Sequence, residues 1–441
     1  MSQNSLYHSQ CWIDGKLQPA TITVEDGKII HVELGERLDR ETSREGILMP
    51  GVIDVHVHVN EPGRTEWEGF QTATQAAAAG GITTLIDMPL NSSPVTTSIS
   101  AYHDKLNAAQ DKLWVNAGFY AGVVPGNADQ LIPLSEAGVM GYKCFLVHSG
   151  IDEFPNVSLQ DLEKAMPLIA TTGKPLLVHA EIDQIAADTL LSQHPSNYRE
   201  YVKSRPGFWE EAAVDMMIEL CRKHDCPVHI VHVSAASVLE KIRNAKLEGL
   251  PLTAETCPHY ILFNEEDIPD GNTLFKCAPP IRDRKNNELL RLAVKSGVLD
   301  LLASDHSPAT PDIKELTSGN LQKAWGGIAG LQFLLAASWT ALRDQMSLVE
   351  FVPKLTASPA RMLNIHHRKG AIKPGMDADL VWWNPHATFK LSESDIKHRH
   401  KASPYANIEL YGKVMRTMVN GRVVFEEDSI HDRAGMFITT V

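Results

Sequence analysis

The sequence lacks the features that mark secreted, membrane-spanning and nucleic-acid-binding proteins. Its six cysteines are scattered without a Cys-x-x-Cys spacing, which argues against a disulfide framework and against a thiolate zinc site. No uninterrupted apolar stretch is long enough to cross a bilayer. The formal net charge is -13. Because a protein needs a basic surface to bind phosphate groups, we expect no nucleic-acid partner and no anionic membrane partner.

The amino-terminal residues also lack a targeting signal. Residues 1–6 contain neither a basic stretch nor an apolar one, so we expect no signal peptide and a cytoplasmic location. The chain has 441 residues, of which 43% are apolar and 22% are charged. These values suit a globular protein with one large domain and one smaller domain.

Strand-like and helix-like segments alternate through the middle of the chain. Short runs rich in β-branched and apolar residues predict eight strands, at residues 52–59, 82–87, 113–117, 139–145, 175–179, 227–232, 251–254 and 298–303. Helical patterns separate most of them, and the first, which is rich in alanine, covers residues 65–79. Eight strands that alternate with helices predict an α/β fold, the (β/α)8 TIM barrel.

Both ends of the chain carry short strands joined by tight turns. Asp26-Gly27 and Asn420-Gly421 are typical hairpin turns between strand-like runs. Neither end is large enough for a core of its own. We therefore predict one small β-domain, built from residues 1–49 and 370–441, beside a barrel formed by residues 50–369.

Histidines stand at the carboxyl ends of several predicted barrel strands. His56 and His58 are two residues apart, so they project from the same face of a strand and can bind one divalent cation. His179 and His232 close later strands, and Asp305 closes the last. Because α/β barrels keep their chemistry at this end, the five residues form a candidate metal site. Each of them alone could instead be a hydrogen-bonded core or loop residue.

Lys143 lies in an apolar strand, where an unpaired ammonium would be costly to bury. It could form an ion pair with a nearby carboxylate, or it could extend to the rim of the barrel. A third possibility is that the amine is neutral and reacts with carbon dioxide, which would give a carbamate that bridges two metals. The sequence leaves these alternatives open.

Taken together, these segments resemble the cyclic amidohydrolases of the amidohydrolase superfamily, which include dihydroorotases, hydantoinases (dihydropyrimidinases) and allantoinases. The resemblance covers nearly the whole chain and rests on residues 51–58, 141–145, 178–181, 232–234 and 304–308. It implies that the terminal domain is a β-sandwich. It also implies a homo-oligomer, either a tetramer or a dimer.

The resemblance implies two divalent metal ions, for which zinc is the first choice and cobalt, manganese, nickel or iron would also suit the ligands. The first metal would be held by His56, His58, Asp305 and Lys143, the last as N6-carboxylysine. The second would be held by Lys143, His179 and His232. A metal-activated hydroxide would attack a cyclic amide, while Asp305 would accept a proton and return it to the leaving nitrogen.

Further segments resemble the allantoinases in particular: residues 60–64, 87–91, 257–260, 278–283, 323–332 and 399–405. Asn60 stands where dihydroorotases usually carry an arginine that pairs with the substrate carboxylate, and an amide cannot replace that guanidinium. This difference fits a neutral ring, and the resemblance implies hydrolysis of (S)-allantoin to allantoate in purine catabolism. His148 stands where hydantoinases usually carry a tyrosine, and we interpret it as a loop residue without a catalytic duty.

Two other functions are compatible with the same fold. One is a hydantoinase or dihydropyrimidinase that acts on simpler rings, and the missing tyrosine counts against it. The other is a non-enzymatic scaffold on the same fold, which the complete set of metal ligands disfavours. The predicted contacts to substrate are Asn91, Ser307, Gly326 and Gly327. For Ser307 and the two glycines, an ordinary role in a turn explains the sequence equally well.

Overall fold

The computed structural model describes residues 4–36, 45–183 and 194–439. Within these ranges the strands are β1 (Asn4–Ile13), β2 (Lys16–Glu25), β3 (Lys28–Leu34), β4 (Ile47–Pro50), β5 (Val52–Val57), β6 (Ile82–Asp87), β7 (Asn116–Phe119), β8 (Ala121–Gly122), β9 (Tyr142–Phe145), β10 (Leu176–His179), β11 (Val228–Ile230), β12 (Leu252–Thr256), β13 (Leu301–Leu302), β14 (Leu380–Phe389), β15 (Leu410–Val419), β16 (Arg422–Glu426) and β17 (Ser429–Ile430).

The helices of the same ranges are α1 (Phe70–Ala79), α2 (Ile99–Ala109), α3 (Leu131–Glu136), α4 (Leu159–Thr172), α5 (Tyr198–Ser204), α6 (Gly207–His224), α7 (Leu239–Leu247), α8 (Pro258–Leu262), α9 (Arg284–Ser296), α10 (Leu334–Leu342), α11 (Leu348–Leu355) and α12 (Ala357–Met362). Among these described helices, none combines the length and the apolar composition that crossing a membrane requires.

Strands β5 to β13 form a closed parallel barrel. Parallel pairing runs from β5 through β6 to β7, and from β8 through β9 to β13. β7 and β8 are two parts of one strand, interrupted only at Tyr120. The barrel closes where Val57 pairs in parallel with His306 and the His58 amide donates to the His306 carbonyl at 2.8 Å. The predicted (β/α)8 TIM barrel is therefore confirmed.

Several predicted boundaries within the barrel are wrong, and for two of them the structure shows the cause. The first helix begins at Phe70 rather than at residue 65, because Gly69 has a φ of 106° and the Glu61 carboxylate accepts the Phe70 amide at 2.8 Å. The third strand begins at Asn116 rather than at residue 113. The preceding backbone bonds to α1 instead of a strand, since the Trp114 amide donates to the Thr74 hydroxyl at 3.1 Å.

The two ends of the chain form one eight-stranded sheet in the order β17-β16-β15-β14-β4-β1-β2-β3. The predicted turns at Asp26-Gly27 and Asn420-Gly421 are confirmed, and each pair has positive φ angles at both residues, as a type I′ hairpin requires. This sheet has its own apolar core, in which Ile22 of β2 packs in one cluster with Leu380 of β14 and Met418 of β15.

A buried ion-pair cluster joins this sheet to the barrel. The Lys369 ammonium lies 3.0 Å from Asp377 and also pairs with Asp379. Asp379 in turn accepts a hydrogen bond from Asn116 of β7 at 3.0 Å. Burial disfavours the ionised form of Asp377, but the Lys369 charge and a hydrogen bond from Lys28 outweigh it and hold the pKa at about 2. Lys369 is therefore the central cation of this contact.

Replacing Lys369 by methionine should lower the free energy of unfolding by about 3 kcal/mol, because it leaves the buried Asp379 carboxylate without the cation that pairs with it. Lys28→Met is the matched control. The Lys28 ammonium pairs with the same Asp377 but is half-exposed, so its loss should cost less than about 1 kcal/mol. Thermal or denaturant unfolding at neutral pH measures both. Equal shifts of the unfolding midpoint in the two variants would contradict the prediction.

Candidate metal centre and cavity

All six residues predicted as metal ligands lie within barrel strands or shortly after them and are at least 90% buried: His56, His58, Lys143, His179, His232 and Asp305. His56 of β5 lies in the cavity wall, and His58 follows one residue after the strand. His232 and Asp305 both have positive φ angles, of 39° and 44°. Such backbone strain in non-glycine residues is most often found at functional sites.

His56, His58 and Asp305 form a compact group of donors. The distances from Asp305 Oδ1 to the Nε2 atoms of His56 and His58 are 3.2 Å and 3.5 Å. One donor atom from each of the three residues lies within 4.8 Å of the other two. Two imidazole nitrogens and a carboxylate oxygen at this spacing match the ligands of a divalent cation.

His179 and His232 form a second pair beside the first. Their ring centroids are 4.6 Å apart, and the His232 ring lies 5.5 Å from that of His56. Burial lowers the pKa of His232 well below its usual value, and the charges of His179 and Lys143 lower it further. A neutral imidazole keeps a lone pair for a metal, so this electrostatic setting favours coordination.

Lys143 is buried completely, and its ammonium nitrogen has no hydrogen-bond partner in the part of the chain that the structure describes. No described carboxylate pairs with it within 4.0 Å, and it does not extend to the rim. Two of the three alternatives for this residue therefore do not match the structure. Burial lowers the pKa of Lys143 to about 8, which gives the amine a neutral fraction able to react with carbon dioxide.

Two buried carboxylates orient the histidines, and the sequence interpretation missed both. Glu255 of β12 accepts from His56 Nδ1 at 2.6 Å, which leaves the other ring nitrogen of His56 directed at Asp305. It also contacts His229 Nε2 at 3.1 Å. The sequence did contain a signal for Glu255, because this charged residue directly follows the apolar residues of a predicted strand. The prediction, however, ended that strand at residue 254.

Glu181 plays the equivalent part for His179. Its Oε2 atom lies 2.8 Å from His179 Nε2, so the Nδ1 atom of His179 is left for a metal. Arg205 pairs with the same carboxylate at 2.5 Å. Burial opposes ionisation of Glu181, but the Arg205 charge and the His179 hydrogen bond lower its pKa to about 2. Glu181 is thus a permanent anion that fixes the ring of His179.

Glu255→Gln should weaken metal binding by roughly 10-fold to 100-fold, because the amide cannot hold His56 in the required tautomer as a carboxylate does. The apparent dissociation constant can be measured by competition with a chelator. Glu210→Gln is the control, since Glu210 is an equally buried carboxylate that pairs with Arg282 and contacts none of the six predicted ligands. Unchanged metal affinity in Glu255→Gln would exclude this orienting role.

The donor groups face a cavity of about 710 Å³. Asn91, Ser307 and Gly326 lie in its wall, as predicted for substrate contacts. Gly327 does not line it. A Cβ atom on Gly327 would lie 2.3 Å from the Ser307 carbonyl, so this glycine permits close packing of two loops. His148 lies at the mouth of the cavity and is mostly exposed, and its ring accepts the Gly150 amide at 3.1 Å.

The charged and aromatic side chains of the cavity wall set its chemical character. Arg64 donates to Glu153 at 2.8 Å, and Arg205 is paired with Glu181, so both guanidinium groups already have anionic partners. Asn60 does not line the cavity. At the rim the ring centroids of Trp67 and Trp325 are 4.8 Å apart in an edge-to-face contact.

A closed (β/α)8 barrel with imidazole, lysine and carboxylate groups at the carboxyl ends of its strands defines the metal-dependent hydrolases of this fold. A model of the amidohydrolase family matches residues 47–424, and the chain belongs to this family. The family resemblance predicted from the sequence is therefore confirmed.

Curated relatives match almost the whole chain. "Probable allantoinase" from Oryza sativa subsp. japonica is 42% identical, with coverage of 96% of this chain and 89% of the relative. "Allantoinase" from Saccharomyces cerevisiae is 39% identical and covers 96% of both chains. Among solved structures, "L-Hydantoinase (Dihydropyrimidinase) from Arthrobacter aurescens" has a TM-score of 0.92 at 30% identity, with coverage of 98% of this chain and 99% of the other.

Proposed function

We propose that this protein hydrolyses the cyclic amide bond of (S)-allantoin to give allantoate, a step of purine catabolism. The observation that carries the proposal is the convergence of six competent ligand residues on one cavity whose arginines are already neutralised. The relatives named allantoinase, at about 40% identity over 96% of the chain, support this substrate over others of the family.

The residues present fit two divalent cations, with zinc as first choice and cobalt, manganese, nickel or iron as alternatives. His56, His58 and Asp305 would hold one cation, and His179 and His232 the other, with carbamylated Lys143 between them. The unpartnered nitrogen of Lys143 supports this role. When bound, the two cations supply the Lewis acidity that activates water near neutral pH and polarises a carbonyl group.

The side chains of this protein provide the proton transfer and the orientation of substrate. Asp305 takes the proton of the attacking water and returns it to the ring nitrogen as the amide bond breaks, because an amide anion is a poor leaving group. The side-chain oxygen of Asn91 is buried and has no partner within the described part of the chain. It accepts an N–H of the ureido group, while Ser307 and Gly326 contact the ring.

The cavity selects a neutral ring. A carboxylate such as that of dihydroorotate is bound most strongly by an unpaired guanidinium, but Arg64 and Arg205 are occupied by Glu153 and Glu181. Allantoin carries no carboxylate, and the apolar faces of Trp67 at the rim suit an uncharged heterocycle. Dihydroorotate should therefore be a poor substrate.

The deciding experiment measures ring opening of allantoin, hydantoin, dihydrouracil and dihydroorotate by the purified, metal-loaded protein in one assay. A clear preference for allantoin is the expected result. Faster turnover of hydantoin or dihydrouracil would instead support a hydantoinase, the alternative favoured by the likeness to the Arthrobacter structure. No turnover of any ring would favour the non-enzymatic scaffold and contradict the proposed function.

Three further properties belong to the same proposal. The protein acts as a homo-oligomer, a tetramer or a dimer, and light scattering tests this. It works in the cytoplasm, which the free state of its six cysteines supports. Residues 1–49 and 370–441 act as one unit beside the barrel of residues 50–369, and limited proteolysis tests this division.

A further inference from the structure

A second group of possible metal donors shares Asp305 with the first. Cys257 and His259 follow β12, and Asp305 follows the neighbouring strand β13. One donor atom from each of the three residues lies within 4.8 Å of the other two. Cys257 and His259 are both fully buried, and neither of them lines the cavity.

The ring of His259 has no hydrogen-bond partner on either nitrogen, among all residues the structure describes. Leaving a buried imidazole unsatisfied costs free energy, so such a group calls for an explanation. A neutral imidazole offers the lone pair of one ring nitrogen to a cation. The unsatisfied ring of His259 therefore supports a cation site independently of the nearby Cys257 thiol.

The three donors differ in kind from those of the proposed catalytic centre. That centre offers nitrogen and oxygen atoms, whereas Cys257 adds sulfur, which prefers soft, thiophilic cations. Cys257 is fully buried, and a cation that replaces its thiol proton must bind sulfur strongly. The site therefore discriminates against hard cations such as magnesium.

We propose that Cys257, His259 and Asp305 bind a thiophilic divalent cation, of which Cd²⁺ is the probe. On binding, the S–H bond of Cys257 breaks, an S–Cd bond forms, and the proton leaves to the buffer without any change of oxidation state. Because Asp305 belongs to both donor groups, a cation held by Cys257 and His259 would compete for this carboxylate with one held by His56 and His58. Cd²⁺ therefore stops turnover, a consequence that rests on the proposed function.

The test titrates the metal-loaded protein with Cd²⁺ and follows ultraviolet thiolate-to-cadmium charge transfer together with turnover. In the unmodified protein we expect the charge-transfer absorbance to grow as turnover falls. Cys257→Ala should lose the absorbance, and its inhibition constant for Cd²⁺ should rise by about tenfold or more. Cys226→Ala is the matched control, since Cys226 is equally buried but precedes β11 at the opposite end of the barrel.

Two results would overturn the proposal: charge transfer retained in Cys257→Ala, or equal inhibition of the two variants. If Cys257→Ala does not fold, ¹¹³Cd NMR of the unmodified protein decides instead. A resonance in the thiolate-ligated region supports the site if it is lost in His259→Ala and retained in the control Cys226→Ala. A nitrogen- and oxygen-ligated resonance alone contradicts it. Absorbance and NMR do not depend on turnover. A failure of the proposed function can therefore be distinguished from a failure of the proposed cation site.

Discussion

Asp305→Asn is expected to lower kcat by about 10³-fold to 10⁴-fold, while KM changes by less than about tenfold. An amide cannot accept the proton of the attacking water and return it to the ring nitrogen. It can still occupy the same volume between His56 and His58, whose Nε2 atoms lie 3.2 Å and 3.5 Å from the carboxylate. The loss should therefore fall on the chemical step more than on substrate binding.

Metal content must be measured in the same preparation, because Asp305 is also a proposed ligand. A variant that keeps its metal but loses turnover isolates the proton transfer, whereas loss of both assigns the effect to coordination. Asp152→Asn is the control, since Asp152 is a fully exposed carboxylate that contacts His148 and does not line the cavity. Near-normal turnover by Asp305→Asn would contradict the proposed mechanism.

Lys143→Ala is expected to abolish measurable turnover and to reduce metal content, because the bridging carboxylate forms only on the lysine amine. The removed side chain leaves a buried space beside Phe145, whose ring lies 5.0 Å from the lysine nitrogen. A short carboxylic acid added to the solution can enter this space and supply the missing oxygen atoms. We therefore expect acetate or propionate to restore part of the activity.

The carbamate itself is tested by loading the metal-free protein with metal in the presence and absence of bicarbonate. Activation should require bicarbonate in the unmodified protein. Lys174→Ala is the control, because burial lowers the Lys174 pKa to about 8, as it does for Lys143, but Lys174 precedes β10 at the opposite barrel end and donates to the Ser135 carbonyl. Bicarbonate-independent activation, or no rescue by any carboxylic acid, would count against the carbamate.

Several features of this protein were predictable because they depend on local periodicity or on turn chemistry. His56 and His58 share a face because strand side chains alternate, and this holds before any tertiary contact forms. The hairpins at Asp26-Gly27 and Asn420-Gly421 follow from residues that tolerate positive φ angles. The eight barrel strands were found for the same reason, since each is a short apolar run between polar segments.

Other features depend on chain segments that are distant in sequence. Glu255 lies 199 residues from His56, and only closure of the barrel brings them to 2.6 Å, so no local pattern could reveal which nitrogen of His56 is free. The start of α1 depends on the carboxylate of Glu61, nine residues earlier. Gly327 was predicted to touch substrate, but tertiary packing places it against Ser307.

The sequence by itself therefore determined which atoms are available for chemistry, and the tertiary structure decided how they are used. The identity and spacing of the ligand residues are local properties, because they are fixed along the chain before any tertiary contact forms. Tautomers, the pairing of Arg64 and Arg205, and the shape of the cavity arise only when strands from distant parts of the chain meet, because hydrogen bonds and Coulomb forces act over a few ångströms of space rather than along the chain.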